Sequence, residues 1–178
     1  ESLDLDDDTI IFFASDNGDS SHGYEKRYLD VKEGPTLSEF FNHQSPTRGH
    51  KSNEYDGGFH VPAMARWPGH IAPGSESDHI WAFWDFLPTA AELARVSPPA
   101  GLDGLSILPT LTSSGVQKQH EYLYWEHNQN QAIRLGEYYA HKANGSPLEL
   151  YNLVADPQQQ NDISDDNTEM VEKINKMM

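Results

Sequence analysis

The sequence predicts an α/β fold in which a partial sheet is followed by a small antiparallel sheet packed with a terminal helix. A short, β-branched apolar run at residues 9–15 is typical of a strand buried on both faces, as in parallel sheets. Strand and helix patterns alternate until about residue 114. Beyond about residue 115, short strand candidates follow one another, which favours antiparallel pairing. We therefore expect an α/β region over residues 1–114 and a C-terminal α+β subdomain over residues 115–178.

The first predicted strand, residues 9–15, ends at the turn-forming sequence Asp-Asn-Gly of residues 16–18. The next segment, residues 19–49, is polar and rich in loop-forming residues, with one short helix predicted over residues 37–41. A loop of about 30 residues is long for a compact domain and is more often functional than idle. We therefore expect this segment to contribute to function.

Two further strands and one helix are predicted before residue 114. Residues 59–67 are strand-like, and Pro62 indicates an edge strand or the first residues of a strand, because proline has no N–H for a ladder. Residues 79–84 alternate in polarity and predict another strand. Asp85 is expected as the N-cap of a helix that continues through residue 94.

Four short strands and one helix are predicted in the C-terminal subdomain. The terminal residues Val171, Ile174 and Met178 recur at helical spacing, so this helix is amphipathic and is expected to cover the sheet. The short strand candidates are residues 121–126, 131–135, 137–141 and 148–151, with turn signals at Gly136 and at residues 144–147.

Composition excludes several classes of function. The chain carries 12 Lys and Arg residues against 28 Asp and Glu residues, a net charge of −16. Nucleic acid is not expected as a partner, because phosphate binding needs a basic face. Cysteine is absent, so this chain supplies no disulfide, zinc thiolate or cysteine nucleophile. No run of 18 apolar residues occurs, so no membrane span is expected.

Three residues near turns are candidates for metal and anion binding. Asp16 and Asn17 place a carboxylate and an amide oxygen at the end of a strand, and such hard oxygen ligands suit Ca²⁺ or Mg²⁺. The alternative is an ordinary Asx turn. Lys51, on a glycine-flanked segment, could neutralise an anion as a point charge. The alternative is a solvated surface lysine.

Histidine is abundant, with nine residues in the chain. Imidazoles can act as general acids or bases and as hydrogen-bonding groups for a substrate, but most histidines have a structural role. The candidates are His22, His43, His50, His60 and His127.

Several short motifs occur in a fixed order over residues 9–163. They are Ser15-Asp16-Asn17-Gly18, Arg48-Gly49-His50-Lys51, Tyr55-Asp56-Gly57-Gly58-Phe59-His60-Val61-Pro62, Trp67-Pro68-Gly69, Asp85-Phe86-Leu87-Pro88-Thr89, Leu102-Asp103-Gly104, Tyr124-Trp125-Glu126-His127 and Leu150-Tyr151-Asn152-Leu153. Together they resemble the C-terminal half of type I sulfatases, the formylglycine-dependent arylsulfatases of the alkaline phosphatase superfamily. The resemblance implies an alkaline-phosphatase-like sheet.

The resemblance also implies roles for individual residues. In that family the Asp and Asn of Ser-Asp-Asn-Gly bind Ca²⁺, and these positions are Asp16 and Asn17 here. The family's lysine contacts the sulfate, which corresponds to Lys51. A loop histidine assists the leaving oxygen, for which His22 is the best match. His127 is expected to reach the substrate.

The chain departs from the family pattern at two aligned positions and lacks the nucleophile motif. Asp56 replaces the usual Glu, and His60 replaces the usual Arg. The formylglycine arises from Cys or Ser in Cys/Ser-x-Pro/Ala-x-Arg, and the sequence Ser-Pro-Thr-Arg at residues 45–48 is one residue too short. We therefore expect the nucleophile upstream, in a missing N-terminal half of the same enzyme, and no turnover by this chain alone.

The implied partners are a sulfated small molecule or a sulfated glycan, and the family suggests a periplasmic or secreted location. Two alternatives stay open. Phosphatases and phosphonate hydrolases of the same superfamily share the core and the metal, although the Lys51 segment favours sulfate. A non-catalytic module that binds calcium or an acidic glycan is the second alternative.

Overall fold

The computed structural model describes residues 3–19 and 46–178. In chain order, the elements are β1 (Ile11–Ala14), α1 (Asp56–Phe59), β2 (Ala63–Arg66), a 3₁₀ turn (Phe83–Asp85), α2 (Phe86–Leu93), α3 (Leu108–Thr112), β3 (Leu123–His127), β4 (Asn130–Leu135), β5 (Tyr138–Lys142), β6 (Glu149–Asn152) and α4 (Thr168–Met177). The mixed α/β class predicted from the sequence is confirmed. The short helix predicted over residues 37–41 lies outside the described residues.

The chain divides into two compact units. The first unit contains Glu1–Ala14 and Ala63–Glu121, and the second contains Ser15–Pro62 and Tyr122–Met178. Each unit is therefore built from two separate stretches of sequence. The boundary expected at residue 114 stays a prediction.

The first unit contains a two-stranded antiparallel ribbon made by β1 and β2. The prediction of a parallel-type strand buried on both faces is wrong for β1, which pairs antiparallel with β2. The side chains of Ile11 and Phe13 are 50% and 65% exposed. An apolar run indicates that a strand avoids water, but it does not identify what covers the strand. Within the described residues, β1 has one strand neighbour.

The strand predicted over residues 59–67 is confirmed in its second half. β2 begins directly after Pro62, whose carbonyl oxygen accepts a hydrogen bond of 3.3 Å from the Ser15 N–H. The residues before Pro62 form the single helical turn α1. Proline thus stands at the start of the strand, where its missing N–H breaks no ladder.

The strand predicted over residues 79–84 is wrong. The chain is extended at Ala82 but pairs with no described strand, and it then tightens into the 3₁₀ turn. The Ala82 N–H donates to the Asp85 carboxylate at 2.8 Å, which closes this turn. Alternating aromatic residues indicated an extended chain correctly, but the local carboxylate supplies the hydrogen bond that a neighbouring strand would have supplied.

Asp85 occupies the N-cap position of α2, as predicted, yet its side chain does not cap that helix. The fully buried carboxylate accepts hydrogen bonds from the N–H of Leu105 at 2.7 Å and from His120 Nε2 at 2.8 Å. Its backbone carbonyl accepts the Thr89 hydroxyl at 2.6 Å. Asp85 therefore joins three segments of the first unit.

The second unit contains a four-stranded antiparallel meander in the order β3-β4-β5-β6, as predicted from the sequence. β3 and β4 are joined by the two-residue turn of Asn128 and Gln129, which both have positive φ (50° and 67°). This conformation matches the twist of the flanking strands and suits asparagine. Gly136 and Gly145, with φ of 60° and 75°, lie in the next two turns.

The terminal helix α4 packs on this sheet through the apolar face that the spacing predicted. Ile174 is fully buried in a cluster whose sheet residues include Ile133 and Leu150. Val171 and Met178 pack against the same cluster. The core of the second unit thus lies between the sheet and the terminal helix.

Within residues 3–19 and 46–178, the helices are too short and too polar to cross a bilayer.

Candidate functional site

Two sequence-predicted candidates, Asn17 and Lys51, lie on segments of the second unit that are hydrogen-bonded to each other. Three backbone hydrogen bonds link residues 15–19 to residues 51–62: Ser15 N–H to Pro62 O (3.3 Å), Gly18 N–H to Gly58 O (2.9 Å) and Lys51 N–H to Asp19 O (2.8 Å). The segment that follows β1 is therefore fixed against the segment that carries Lys51.

Close backbone contact at this junction requires glycine. A Cβ atom on Gly18 would lie 1.8 Å from the carbonyl oxygen of Gly57, and a Cβ on Gly57 would lie 2.7 Å from the carbonyl oxygen of Arg48. Both contacts are with backbone atoms that cannot rotate away. The Gly18 and Gly-Gly positions of the motifs thus permit the two segments to approach each other.

Asp16 and Asn17 supply oxygen atoms suited to a hard cation. Asn17 Oδ1 is buried and has no hydrogen-bond partner among residues 3–19 and 46–178, while its Nδ2 donates to Asp16 Oδ1. The Ser15 hydroxyl donates to the backbone oxygen of Asn17 at 2.8 Å and restrains the turn. A buried acceptor without a partner is uncommon and calls for an unseen ligand or water. The donor chemistry therefore fits Ca²⁺ or Mg²⁺.

These two residues do not make a complete metal site by themselves. Across the described ranges 3–19 and 46–178, no group of three or more His, Asp or Glu side chains is arranged to hold a metal ion. Six to eight oxygen ligands are usual for Ca²⁺. A Ca²⁺ ion at this turn would therefore need further oxygen ligands besides those of Asp16 and Asn17.

Lys51 is partly buried, and its backbone is fixed on both sides. Its N–H bonds to Asp19, and its carbonyl oxygen lies 2.7 Å from His50 Nδ1. His50 is thereby engaged with the backbone beside Lys51. The candidates His22 and His43 lie outside the described residues.

Glu54 connects the Lys51 segment to the predicted substrate residue His127. This glutamate is 3% exposed, and its Oε1 lies 3.0 Å from Nδ1 of His127. Its Oε2 accepts a hydrogen bond of 3.1 Å from Asn130 Nδ2, and its backbone oxygen accepts the Tyr139 hydroxyl at 2.7 Å. Glu54 was not identified as a site residue from the sequence, because its partners lie more than 70 residues away on the meander.

A second polar cluster surrounds Arg48. Its guanidinium lies 3.7 Å from the centroid of the Tyr55 ring and donates to the hydroxyls of Tyr55 (2.9 Å) and Tyr151 (3.0 Å) and to the backbone oxygen of Gln159 (3.0 Å). Both tyrosine hydroxyls donate to Glu149 Oε2 at 2.7 Å. Burial, together with the bond to Glu149, raises the pKa of Tyr55 to about 12. Tyr55 is therefore a neutral donor at physiological pH.

His141 lies between the two carboxylates of these clusters. Its Nε2 is 3.8 Å from Glu54 Oε2 and its Nδ1 is 3.7 Å from Glu149 Oε2, while its ring packs on Tyr55 at 4.3 Å between centroids. Burial lowers the pKa of His141 from its usual value, although both carboxylates oppose this shift. A neutral imidazole is thus the favoured form in the folded chain at neutral pH.

Asp56 and His60, the two departures from the motif pattern, contact each other. His60 Nδ1 lies 2.9 Å from Asp56 Oδ2, and Arg134 Nη1 lies 3.6 Å from Asp56 Oδ1. The hydrogen bond to Asp56 raises the pKa of His60 above its usual value. The Asp56 N–H donates to Gln159 Oε1 at 3.0 Å. Asp56 is therefore a buried anchor of α1.

Two sequence families match this chain. The family model described as "Sulfatase" matches residues 1–96, and the family model described as "N-sulphoglucosamine sulphohydrolase, C-terminal" matches residues 50–178. The two matches together span every element described above and the segments that carry Asp16, Asn17 and Lys51.

Two curated relatives are similar over most of the chain. The N-acetylgalactosamine-6-sulfatase of Mus musculus is 32% identical over 143 residues, which cover 79% of this chain and 25% of that protein. The arylsulfatase of Hemicentrotus pulcherrimus is 34% identical over 143 residues, which cover 79% of this chain and 23% of that protein. The chain thus spans about a quarter of the length of these relatives.

A solved structure has a similar fold. It is described in connection with the metabolism of multiple glycosaminoglycans by Bacteroides thetaiotaomicron. It superposes with a TM-score of 0.79 and 25% sequence identity, over 99% of this chain and 39% of that one.

Proposed function

This chain belongs to the sulfatase family, and from that membership we propose that it forms the C-terminal part of a sulfuric ester hydrolase. The proposed substrates are aryl sulfates or sulfated carbohydrates. The observation that carries the proposal is the junction of the segment containing Asp16 and Asn17 with the segment containing Lys51. A sulfatase site needs a metal-binding group and a sulfate-binding cation on one surface. This junction joins the backbones of the two segments that would carry them.

Asp16 and Asn17 are proposed to bind a divalent cation, Ca²⁺ or Mg²⁺. The buried Oδ1 of Asn17, which no described residue contacts through a hydrogen bond, supports this role, because a cation would satisfy it. A bound divalent cation supplies charge stabilisation for a sulfate group during ester cleavage. The Ser15 hydroxyl and the Gly18 backbone restrain the turn, so the two ligands are positioned before the ion arrives.

Lys51 is proposed to contact the sulfate group. Its backbone is fixed by Asp19 and by His50, so the ammonium group starts from a restrained position. An ammonium can stabilise the negative charge on nonbridging sulfate oxygens in the transition state. His22 is proposed as the proton donor to the leaving oxygen, and His127 as a contact to the rest of the substrate.

The attacking group is proposed to be a formylglycine on polypeptide outside this chain. The 178 residues contain no cysteine and no Cys/Ser-x-Pro/Ala-x-Arg sequence. The exposed apolar side chains of the β1–β2 ribbon support the presence of such a partner, because Ile11, Phe13 and Met64 are 50%, 65% and 61% exposed. We infer that the N-terminal half of the same protein covers the ribbon of the first unit.

The test uses the full-length protein that contains this chain, with an aryl sulfate and the matching aryl phosphate as substrates. We expect Lys51→Ala to lower kcat/KM for the sulfate by about tenfold to a hundredfold, because a positioned charge is removed. The exposed Lys118 provides a matched control, and Lys118→Ala is expected to leave kcat/KM unchanged. A Lys51→Ala enzyme with wild-type kcat/KM would overturn the role of Lys51, and preference for the phosphate would overturn the sulfatase assignment.

A second test uses the 178-residue chain alone. We expect it to hydrolyse no aryl sulfate and to bind calcium only weakly, because the remaining ligands and the nucleophile are outside it. Equilibrium dialysis with ⁴⁵Ca²⁺ measures the second quantity. Tight binding by the isolated chain would instead support a self-contained calcium-binding module.

A further inference from the structure

Glu54 is a buried carboxylate for which the proposed sulfatase mechanism has no use. It lies three residues after Lys51, and three side chains face its oxygens: His127 Nδ1 at 3.0 Å, Asn130 Nδ2 at 3.1 Å and His141 Nε2 at 3.8 Å. A carboxylate that is 3% exposed is costly to bury and therefore needs these partners.

The contact with Glu54 selects one tautomer of His127. An ionised carboxylate only accepts hydrogen bonds, so Nδ1 of His127 must carry the hydrogen that faces Oε1. In the neutral imidazole, Nε2 then carries the lone pair and is the hydrogen-bond acceptor of the ring. The amide nitrogen of Asn128 lies 3.2 Å from Nε2 and 3.5 Å from Nδ1, so it contacts both nitrogens almost equally and does not select between them.

His127 can present this lone pair to a ligand. Its side chain is 51% exposed, whereas Glu54 behind it is buried. It stands at the end of β3, and the tight turn of Asn128 and Gln129 fixes its backbone. Glu54 thus holds the imidazole at Nδ1, while about half of the His127 side chain stays accessible.

We propose that Glu54 is a positioning residue that holds His127 as the Nδ1–H tautomer, so that Nε2 accepts a hydrogen bond from a hydroxyl group of a sulfated sugar. The ligand part of this inference rests on the proposed sulfatase function. A lone pair recognises a donor and not a sulfate oxygen. The sugar ring supplies such donors, while Lys51 takes the anionic group. Glu54 therefore contributes to selection of sulfated carbohydrates over simple aryl sulfates.

The first test reads the tautomer directly in the 178-residue chain. Two-bond ¹H–¹⁵N NMR spectra of ¹⁵N-histidine-labelled protein, recorded from pH 6 to pH 9, distinguish the protonated ring nitrogen from the unprotonated one. At the alkaline end we expect His127 to be the Nδ1–H tautomer in the wild type and to shift towards Nε2–H in Glu54→Gln. The exposed neighbour Glu126 gives the control, and Glu126→Gln is expected to leave the His127 signals unchanged. A wild-type His127 in the Nε2–H form would overturn the proposal.

The second test measures kinetics of the full-length protein with N-acetylgalactosamine 6-sulfate and with 4-nitrophenyl sulfate, which has no hydroxyl group. We expect Glu54→Gln to raise KM for the sugar sulfate by about tenfold, the effect of one lost hydrogen bond, with kcat within about twofold. KM for 4-nitrophenyl sulfate should not change. Equal effects on both substrates would indicate a structural role and overturn the proposal.

A double variant separates positioning from folding. If Glu54 acts through His127, then Glu54→Gln adds no further rise in KM once His127→Gln is present. Additive effects would contradict the proposal. Should the full-length protein hydrolyse neither ester, the proposed function fails, whereas the NMR measurement still decides whether Glu54 sets the tautomer.

Discussion

His60 Nδ1 lies 2.9 Å from Oδ2 of Asp56, the residue four positions earlier. These are the two positions at which the Tyr-Asp-Gly-Gly-Phe-His-Val-Pro segment departs from the sulfatase pattern, so the two departures form one interacting pair. Arg134 approaches the other oxygen of Asp56 at 3.6 Å. The carboxylate is thus shared between an imidazole and a guanidinium.

The Asp56–His60 pair is expected to stabilise the chain only in acid. The hydrogen bond to Asp56 raises the pKa of His60 above the usual 6.5, so its stabilising effect is complete below pH 6.5 and is lost as pH rises through the raised value. His60 is 61% exposed, so we expect a coupling energy of at most about 1 kcal/mol. Urea unfolding of His60→Ala, Asp56→Asn and the double variant measures it at pH 5.5 and pH 8.5. Equal coupling at both pH values would contradict this assignment.

His141 has the opposite dependence on pH. Burial lowers the pKa of His141, so the unfolded chain binds its proton more readily and the free energy of unfolding falls as pH drops below 6.5. His141→Gln removes this titration. We therefore expect the difference in urea midpoint between wild type and variant to shrink from pH 7.5 to pH 5.0. The exposed His70 is the control, and His70→Gln should parallel the wild type. A constant difference for His141→Gln would exclude the effect.

Asp85 is expected to be among the most sensitive positions of the first unit. Asp85→Ala leaves the N–H groups of Ala82 and Leu105 and the ring of His120 without their acceptor, at a cost of about 3 kcal/mol or more. Thermal unfolding measures the loss. The exposed Asp103 offers a matched carboxylate, and Asp103→Ala is expected to change stability by less than about 0.5 kcal/mol. Similar losses in the two variants would argue against a buried junction at Asp85.

Patterns that depend on local spacing were predicted well from the sequence. The face of α4 that carries Ile174 follows a period of 3.6 residues, and the meander strands were identified as short segments between turn signals; a single segment reveals both patterns. The extent of β2 was partly predicted, because Pro62 restricts where a strand can begin. Asp16, Asn17 and Lys51 were selected by motif, and the structure adds that their segments are joined by backbone bonds.

Relationships between distant segments could not be predicted from the sequence. The apolar sequence of β1 indicates that the strand is covered, but it does not indicate whether the neighbouring strand runs parallel or antiparallel. The antiparallel partner β2 was therefore missed. The prediction of a strand before Asp85 was wrong, because the Asp85 carboxylate accepts the Ala82 N–H and turns the chain there. Glu54 was overlooked because its partner His127 lies 73 residues further along the chain. Such polar contacts leave no periodic signal.

Gly18 is expected to be intolerant of any side chain. Gly18→Ala would place a Cβ atom 1.8 Å from the Gly57 oxygen, so the two backbones must separate, at a cost of about 3 kcal/mol. Gly74 has open space but a φ of 70°, and Gly74→Ala is expected to cost about 1 kcal/mol from backbone strain alone. Urea unfolding of both variants tests the comparison. A loss for Gly18→Ala no larger than that for Gly74→Ala would mean that the junction is loose.

The second unit is built from two stretches that are far apart in the sequence, and this has a consequence for biosynthesis. Arg48, beside Lys51, is fastened by Tyr151 and by Gln159, which follow it by 103 and 111 residues. A ribosome adds about 5–20 residues per second, so the lysine segment is synthesised roughly 5–20 seconds before Tyr151 and Gln159. During that interval the nascent segment is available to chaperones and proteases. A stop codon directly after residue 148 would remove Tyr151, Gln159 and α4 and leave the lysine segment without these anchors.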